Sequence, residues 1–292
     1  PPTQKGIMAF GQTDSANTNV SHLISSSGVV ADDTTGVGTA RRDLAAASYG
    51  TDKAIFGYGI SSSIVGMTNL VNNQGVVSAD VNAVGTARRD LAAVGYGEDL
   101  AMFAYGNTGS KSNLKNLVNN QGVVGANVTG VGTARGDLAA SRYGVGLAIF
   151  GFGTTGSNVS VTNLVTNVGV IGSDVSGVGT ARRSLAACTF GGDKAIFGFG
   201  NDNSNETSIT NLVSNVGVVA ANTSGVGTAR EKLAACSFGG DKGIFAFGVD
   251  NGGAGRVSTS NLVSNSGVVA SNTTGVGTAT NRLGAAGFSS SA

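Results

Sequence analysis

Val37-Gly38-Thr39-Ala40-Arg41-Arg42-Asp43-Leu44 is the stretch that decides how this chain folds, because its Val-Gly-Thr-Ala core recurs five more times. The intervals between successive copies are 47, 47, 47, 48 and 50 residues. A period in this range is typical of solenoids and propellers, in which each repeated unit packs against its neighbours. The later copies begin at Val84, Val131, Val178, Val226 and Val276.

Each repeated unit divides into four strand-like pieces, as the unit 41–87 illustrates. Small apolar residues at 44–49 precede a Gly-Thr-Asp turn, and a second apolar run follows at 53–59. A polar loop then leads to a third piece at 67–73 and a short fourth piece at 76–78. A Gly/Asp turn between apolar runs indicates a hairpin, so we predict four antiparallel strands per unit.

The two ends of the chain carry complementary parts of one unit. Residues 5–11 match a second piece, so the N-terminal unit lacks its first piece. Residues 281–288 match a first piece that no second piece follows. The offset predicts a closed ring of six units, in which the C-terminal strand completes the N-terminal unit. Four short strands in a repeat of this length make one propeller blade.

The sequence therefore predicts an all-β fold: a single six-bladed β-propeller domain over residues 1–292, with four antiparallel strands per blade. The closing blade is shared between the N- and C-termini. The predicted blades are residues 281–292 with 1–40, then 41–87, 88–134, 135–181, 182–229 and 230–280.

The composition argues against several classes of function. Lys and Arg total 18 and Asp and Glu total 17, so no net charge favours nucleic acid or an anionic membrane. No apolar run approaches the length of about 18 residues that crosses a bilayer. We therefore expect no nucleic-acid partner and no membrane insertion.

All 17 aromatic residues fall into three registers of the repeat. One register ends the first strands, and the other two lie two residues apart in the second strands, where they share a face. Aromatic side chains bury more area than any others. We predict that they form the core between units and do not bind a ligand.

Residues that would support catalysis or bind a metal are scarce. His22 is the only histidine, and no Cys–His or Ser–His–Asp set can be built around it with specificity, so we place it on the surface. Cys188 and Cys236 occupy equivalent positions and are predicted to be small buried side chains; a disulfide would need their Cα atoms within about 7 Å. The loop 201–206 has alternating oxygen ligands but lacks the glycine and distal Glu of a calcium loop, which favours a solvated loop. We expect no enzyme, no cofactor and no metal site.

Arginines gather on the segment that leads into the first strands, and in a closed ring they would converge on one face. In one interpretation they bridge neighbouring blades through carboxylates and backbone carbonyls. In the other they form an electropositive rim that binds an acidic group, a phosphate or a sugar acid. Nine of the eleven arginines belong to this candidate binding set: Arg41, Arg42, Arg88, Arg89, Arg135, Arg182, Arg183, Arg230 and Arg282.

An Asp or Asn recurs at one position of every unit, as at Asp80, and this restriction indicates a turn closed by its own side chain. The fourth strands, such as 76–78, carry no charge, although soluble monomers usually place charged residues on such edges. Uncharged edges favour assembly with other structural chains, and edges that are short and twisted are the alternative explanation.

The loops after the second strands vary most between units, and variable loops on a repeated scaffold are typical sites of recognition. We therefore expect a protein or glycan partner on the face that these loops share. The loops are residues 12–19, 60–66, 107–113, 154–159, 201–207 and 249–257.

The repeat resembles the kelch repeat. The pattern runs from Arg through Leu-Ala-Ala and Tyr-Gly to Lys-Ala-Ile-Phe-Gly-Tyr-Gly and a late Asn-Leu-Val. It departs from that family in the Gly57-Tyr58-Gly59 motif, where kelch units have a glycine pair, and in having no Trp. The near-identical Gly- and Asn-rich repeats also resemble six-bladed modules of phage tail and other virion structural proteins.

These resemblances imply a binding or scaffolding protein. The leading expectation is a non-enzymatic structural or attachment module, in a virion or an extracellular setting, that binds a partner through its loop face. The first alternative is a stand-alone lectin-like or protein-interaction propeller. The second is an enzyme of the kelch-like kind.

Overall fold

The computed structural model describes residues 3–250 and 255–291, and within those ranges its regular structure consists of β-strands without helices. Twenty strands follow one another along the chain. They are β1 Lys5–Ala9, β2 Ser21–Ile24, β3 Ala45–Tyr49, β4 Lys53–Gly57, β5 Thr68–Val71, β6 Ala92–Tyr96, β7 Leu100–Ala104, β8 Lys115–Val118, β9 Ala139–Tyr143, β10 Leu147–Gly151, β11 Thr162–Val165, β12 Ala186–Phe190, β13 Lys194–Gly198, β14 Thr210–Val213, β15 Ala234–Phe238, β16 Lys242–Ala246, β17 Val249–Asp250, β18 Gly255–Arg256, β19 Ser260–Val263 and β20 Gly284–Phe288.

The strands form six small antiparallel sheets of three strands each, and β17 and β18 form a separate hairpin. In each sheet the second strand of the repeat lies between the first and the third. The prediction of an all-β chain of repeated antiparallel sheets is confirmed. We number the sheets as units: unit 1 is β2-β1-β20, unit 2 is β3-β4-β5, unit 3 is β6-β7-β8, unit 4 is β9-β10-β11, unit 5 is β12-β13-β14 and unit 6 is β15-β16-β19.

The fourth piece of each unit is not a regular strand. In unit 2 it meets β5 only at two isolated bridges, Val71 with Val77 and Thr68 with Val81. The intervening segment carries Asp80, whose side chain bonds the preceding unit instead of continuing a ladder along β5. The expectation of four full strands per unit was therefore wrong in this respect.

Unit 1 combines both ends of the chain. Strand β20 pairs antiparallel with β1, with Met8 opposite Ala285 and Lys5 opposite Phe288. The prediction that the C-terminal strand completes the N-terminal unit is confirmed by this pairing.

The first strands of the units contact one another in a cycle, β3 to β6, β9, β12, β15, β20 and back to β3. A cycle of backbone hydrogen bonds runs through the residues that precede these strands. Each amide of the cycle donates to the carbonyl of the equivalent residue one unit back, over 2.8 to 3.0 Å. The donor and acceptor pairs are Asp43 to Arg282, Arg282 to Lys232, Lys232 to Ser184, Ser184 to Asp137, Asp137 to Asp90 and Asp90 to Asp43.

The hydrophobic core lies between neighbouring units. Tyr58 of unit 2 and Phe103 of unit 3 meet edge to face, with ring centroids 5.0 Å apart. A Cβ at Gly57 would lie 2.6 Å from the Phe103 ring, so glycine is needed there for the two units to approach. All 17 aromatic side chains are buried, which confirms their predicted place in the core.

Candidate functional site

Five arginines of the predicted binding set are completely buried. Their side chains have 0% exposed surface, so a ligand on the protein surface cannot reach them without a rearrangement. They occupy the same position in five units. The five are Arg41, Arg88, Arg135, Arg182 and Arg230.

Arg41 shows how such a guanidinium is held. Its Nε donates to the carbonyl of Tyr58 at 2.9 Å, and its Nη2 donates to Oδ1 of Asn69 at 2.6 Å. Asn69 is itself fully buried and donates to Oδ1 of Asp80. Because a buried charge is stable only when its N–H groups have partners, this network compensates the cost of burial. Burial lowers the pKa of Arg41 to about 10.

Each buried arginine also packs on an aromatic ring of the preceding unit. The guanidinium carbon of Arg41 lies 4.2 Å from the Phe10 ring centroid, and that of Arg88 lies 4.4 Å from the Tyr58 centroid. Tyr58 adopts a left-handed backbone with φ of 66°, and in this conformation its carbonyl accepts the Arg41 bond. The Gly-aromatic-Gly motif thus supplies both a cation–π surface and a hydrogen-bond acceptor.

The recurrent Asp or Asn links neighbouring units. Asp80 accepts hydrogen bonds from the amide of Thr39 at 3.0 Å and from its hydroxyl at 2.6 Å. The equivalent bond from Thr278 to Asp33 joins the C-terminal and N-terminal parts of the chain. The expectation that this side chain closes its own turn was wrong, because a sequence pattern cannot show that the partner lies in the next unit.

The other four arginines of the set are partly exposed, and each contacts a polar group nearby. Arg42 donates to Oδ1 of Asn17 at 2.7 Å, and Arg183 donates to Oδ1 of Asn158 at 3.3 Å. Both acceptors belong to the variable loop of the preceding unit. Nε of Arg89 lies 3.6 Å from Oδ2 of Asp90, which is within ion-pair distance. The proposal that this rim binds an acidic ligand stays a prediction.

Arg282 lines a small cavity at the start of the first strands. It donates to both carboxylate oxygens of Asp43, at 3.0 and 2.8 Å. The cavity has a volume of about 120 Å³, and a ring of leucines forms part of its wall. Its polar lining is Asp43, Asp90, Asp137, Ser184, Lys232 and Arg282.

Electrostatics divide this small cavity into two halves, with three carboxylates on one side and two cations on the other. Burial, together with the negative charges of Asp137 and Asp43, raises the pKa of Asp90 to about 7. Burial also raises the pKa of Asp43, although Arg282 opposes the effect. The described residues contain no group of three or more His, Cys, Asp or Glu placed to hold a metal ion.

A larger cavity, of about 790 Å³, lies at the opposite end of the first strands. Turns between the first and second strands form its rim, and side chains from the last residues of the first strands form its floor. Arg142, on β9, is the cation that lines it. Arg142 lies outside the predicted set, and no other unit has an arginine at its position.

His22 and the two cysteines are all buried. The side chain of His22 is only 1% exposed, so the predicted surface position was wrong. Burial lowers its pKa, although Asp33 opposes the effect. Cys188 and Cys236 are free thiols, as the sequence indicated, and burial raises the pKa of Cys188 to about 12.

The variable loops flank the partly exposed arginines. In the loop 201–206, the carboxylate of Asp202 accepts the amides of Ser204 and Asn205, which is a local turn. The last loop, predicted at 249–257, contains the β17–β18 hairpin, and its residues 251–254 lie outside the described residues.

No family model matches the chain, and a comparison with curated proteins found no significant relative. The described part of the chain contains no helix of the length and hydropathy that spanning a membrane requires.

Proposed function

We propose that the chain is a six-bladed β-propeller with kelch-like blades, and that it is a non-enzymatic structural module whose perimeter packs against further copies of the same chain. Each unit is then one blade, and unit 1 is the blade shared by the two termini. The cyclic contacts of the first strands and the hydrogen bond from Thr278 to Asp33 support this arrangement.

The inter-blade contacts favour a rigid support. Five pairs of successive blades share a buried arginine on an aromatic ring, and His22 on Phe247 takes that place in the sixth. Thr–Asx hydrogen bonds also join neighbouring blades, so one blade cannot move without breaking contacts on both sides. A closed ring of short blades also leaves no terminal sheet face open to solvent.

The proposed association of copies depends on the outer surface of the ring. Its outer segments hold 17 exposed valines and only four charged residues, Asp32, Asp33, Asp80 and Asp174. These segments, which we call the valine belt, are residues 25–40, 72–87, 119–134, 166–181, 214–229 and 264–279. Three of those carboxylates are committed to the Thr–Asx bonds between blades. Exposed apolar side chains concentrated on one surface are typical of contact sites. Because the belt bears almost no charge, two copies can approach edge to edge without like-charge repulsion.

In every blade one valine of this belt occupies the same position of the repeat. Each follows a glycine turn, and each is exposed over 53% to 65% of its surface. They are Val29, Val76, Val123, Val170, Val218 and Val268.

A virion or extracellular assembly fits a rigid ring with an uncharged edge, as the likeness to phage-tail modules implied. The variable loops supply a second candidate function, recognition of a protein or glycan partner. Asn17 and Asn158 favour it, because arginines of the following blade hold both loops in place.

Light scattering coupled to size-exclusion chromatography tests the assembly. We expect the wild-type chain of 28.6 kDa to associate as its concentration rises. The triple variant Val76→Lys, Val123→Lys and Val170→Lys places three charges on the belt and should remain a monomer, because charged residues block edge contacts.

Val145→Lys is the matched control, since Val145 is 90% exposed but lies on a turn away from the belt. It should associate as the wild type does. A wild-type chain that stays monomeric at every concentration, or a triple variant that still associates, overturns the assembly.

A further inference from the structure

The cavity of about 790 Å³ is large enough to hold a small organic molecule, since ligand sites commonly measure about 300 to 1,000 Å³. It lies at the ends of the first strands, whereas the predicted arginine set lies at their starts. The cavity is therefore separate from the binding surface that the sequence predicted. None of the belt valines lines this cavity, so ligand binding here can be tested independently of the proposed assembly.

Arg142 provides a cation on the cavity floor. Its Nη2 donates to the carbonyl of Gly97 in unit 3 at 2.7 Å, and within the described residues no carboxylate forms an ion pair with it. A guanidinium has five N–H donors, so this bond leaves donors for a ligand. Burial lowers the pKa of Arg142, with no opposing effect from a neighbouring charge.

Gly95 opens space beside this cation. It occupies the position of Arg142 one unit earlier, and a Cβ there would lie 3.5 Å from Cδ of Arg142 and 2.9 Å from the carbonyl of Ser48. Any larger side chain at position 95 would therefore crowd the guanidinium and the neighbouring backbone.

Hydroxyl groups from other units line the same cavity as the guanidinium. Ser48 donates to the carbonyl of Gly287 at 2.7 Å, and Ser237 shares a hydrogen bond of 3.1 Å with Thr3. Thr189 donates to the carbonyl of Arg142 at 3.3 Å. A hydroxyl has two acceptor lone pairs in addition to its donor, so Ser48 and Thr189 can still accept hydrogen bonds.

Carboxylates that line the cavity limit how much negative charge a bound ligand can carry. Glu98, Asp99 and Asp241 line the cavity, while Arg142 is its one lining cation. A multiply charged phosphate would meet more repulsion than attraction. A single carboxylate on a polyhydroxylated molecule matches one guanidinium surrounded by hydroxyl acceptors.

We propose that this cavity binds a small polyhydroxylated monoacid, of the sugar-acid class, whose carboxylate pairs with Arg142. Binding relies on one charge-assisted contact and on hydrogen bonds from the ligand hydroxyls to Ser48 and Thr189. Tyr49 and Phe190 line the cavity, but they are only 3% and 2% exposed, so they offer little ring surface for stacking.

Ligand-observed NMR titration with glucuronate and N-acetylneuraminate tests the site, with glucose and inorganic phosphate as comparisons. We expect one of the two sugar acids to bind at concentrations below about 10 mM and more tightly than glucose or phosphate. The variant Arg142→Gln should weaken that binding about tenfold or more, because the charged contact is lost. Arg256→Gln, which lies outside this cavity and outside the predicted arginine set, should bind as the wild type does.

Variants of Val145 provide a second test of the site in case Arg142→Gln does not fold. Val145 lines the cavity and is 90% exposed, so a charge there changes the field without disturbing the packing. Val145→Lys should tighten sugar-acid binding, and Val145→Glu should weaken it.

The site is overturned if the wild type binds neither sugar acid, or if it binds phosphate or glucose as tightly. It is equally overturned if sugar-acid binding is unchanged in folded Arg142→Gln or does not follow the charge at position 145.

Discussion

The imidazole of His22 lies over the phenyl ring of Phe247, with centroids 4.6 Å apart and an angle of 36° between the planes. In the five other units an arginine guanidinium lies over the equivalent ring, at 4.2 to 4.4 Å. The position that carries this arginine elsewhere carries Thr280 here, and His22 replaces the buried asparagine. Nδ1 of His22 and the hydroxyl of Thr280 are both buried without a hydrogen-bond partner in the described structure.

The double change His22→Asn with Thr280→Arg should create the arginine–asparagine pair that units 2, 4 and 5 contain. Each single change leaves an incomplete pair, so we expect the two to couple favourably by about 1 to 3 kcal/mol. Urea unfolding of the wild type, both single variants and the double variant measures this coupling. Additive effects of the two changes would contradict the equivalence of the sites.

His22 should also make the wild type sensitive to acid. Burial lowers the pKa of His22 below 6.5, so in acid the unfolded chain binds a proton before the folded chain does. The free energy of unfolding should therefore fall as the pH drops from 8 through about 6 to 5. Protons stabilise whichever state binds more of them, and here that is the unfolded state. Thermal unfolding of the His22→Asn, Thr280→Arg variant should show a smaller loss over the same range. An equal loss in both proteins would assign the acid sensitivity to other groups.

Arg135→Ala should destabilise the fold strongly. The change removes the hydrogen bonds of Arg135 to Asn163 and to the carbonyl of Phe152, and leaves both buried acceptors unpaired. We expect a loss of about 3 kcal/mol or more in the free energy of unfolding. Arg183→Ala is the matched control, and its partly exposed side chain should cost about 1 kcal/mol or less. Denaturant unfolding of the two variants checks the contrast, and similar losses would show that burial does not separate the two arginine sets.

Asp90→Asn should stabilise the protein at neutral and alkaline pH. The pKa of Asp90 is raised to about 7, so between pH 4 and 7 the folded state keeps a proton that the unfolded state releases. Stability from this group is present in acid and is lost as the pH rises to about 7. We expect Asp90→Asn to gain on the order of 1 to 2 kcal/mol at pH 8 and to match the wild type near pH 4.

Asp80→Asn supplies the control of opposite sign. Hydrogen bonds from Thr39 and Asn69 outweigh burial and lower the pKa of Asp80, so its ionised form stabilises the fold above its titration range. This variant should lose stability relative to the wild type at pH 7 and approach it in acid. Equal pH profiles for the two variants would contradict both assignments.

Gly243→Ala should destabilise the chain only while Cys188 is present. A Cβ at position 243 would lie 2.5 Å from Sγ of Cys188, and one at Gly6 would lie 2.6 Å from Sγ of Cys236. The equivalent positions of units 2 and 3 are both alanine, at Ala47 and Ala101. We expect a cost of about 1 to 3 kcal/mol for Gly243→Ala. Adding Cys188→Ala should recover most of it, and unfolding of the four proteins in this cycle measures the recovery. No recovery would mean that the backbone, and not the thiol, limits space at position 243.

Much of the architecture could be predicted from the repeat. The period, the alternating aromatic registers and the offset between residues 5–11 and 281–288 predicted small antiparallel sheets and the pairing of β20 with β1. These features are local or periodic, and strand alternation alone decides which side chains share a face. The buried thiols followed from the same registers.

The candidate site could be predicted much less well. The sequence predicted one binding set of nine arginines. In the structure five of them are buried on aromatic rings and four are partly exposed. His22 read as a surface residue because its partner Phe247 is 225 positions away in the chain. Arg142 gave no repeating signal at all.

The sequence by itself determined the repeat, the strands and the way that the two ends of the chain complement each other, because all three depend on spacing along the chain. Only the tertiary structure decided which cations lose contact with water, which Asp or Asn side chains bind the neighbouring unit, and where a cavity opens around Arg142. Those outcomes depend on distances between residues of different units, which the packing of side chains sets and which no periodicity records.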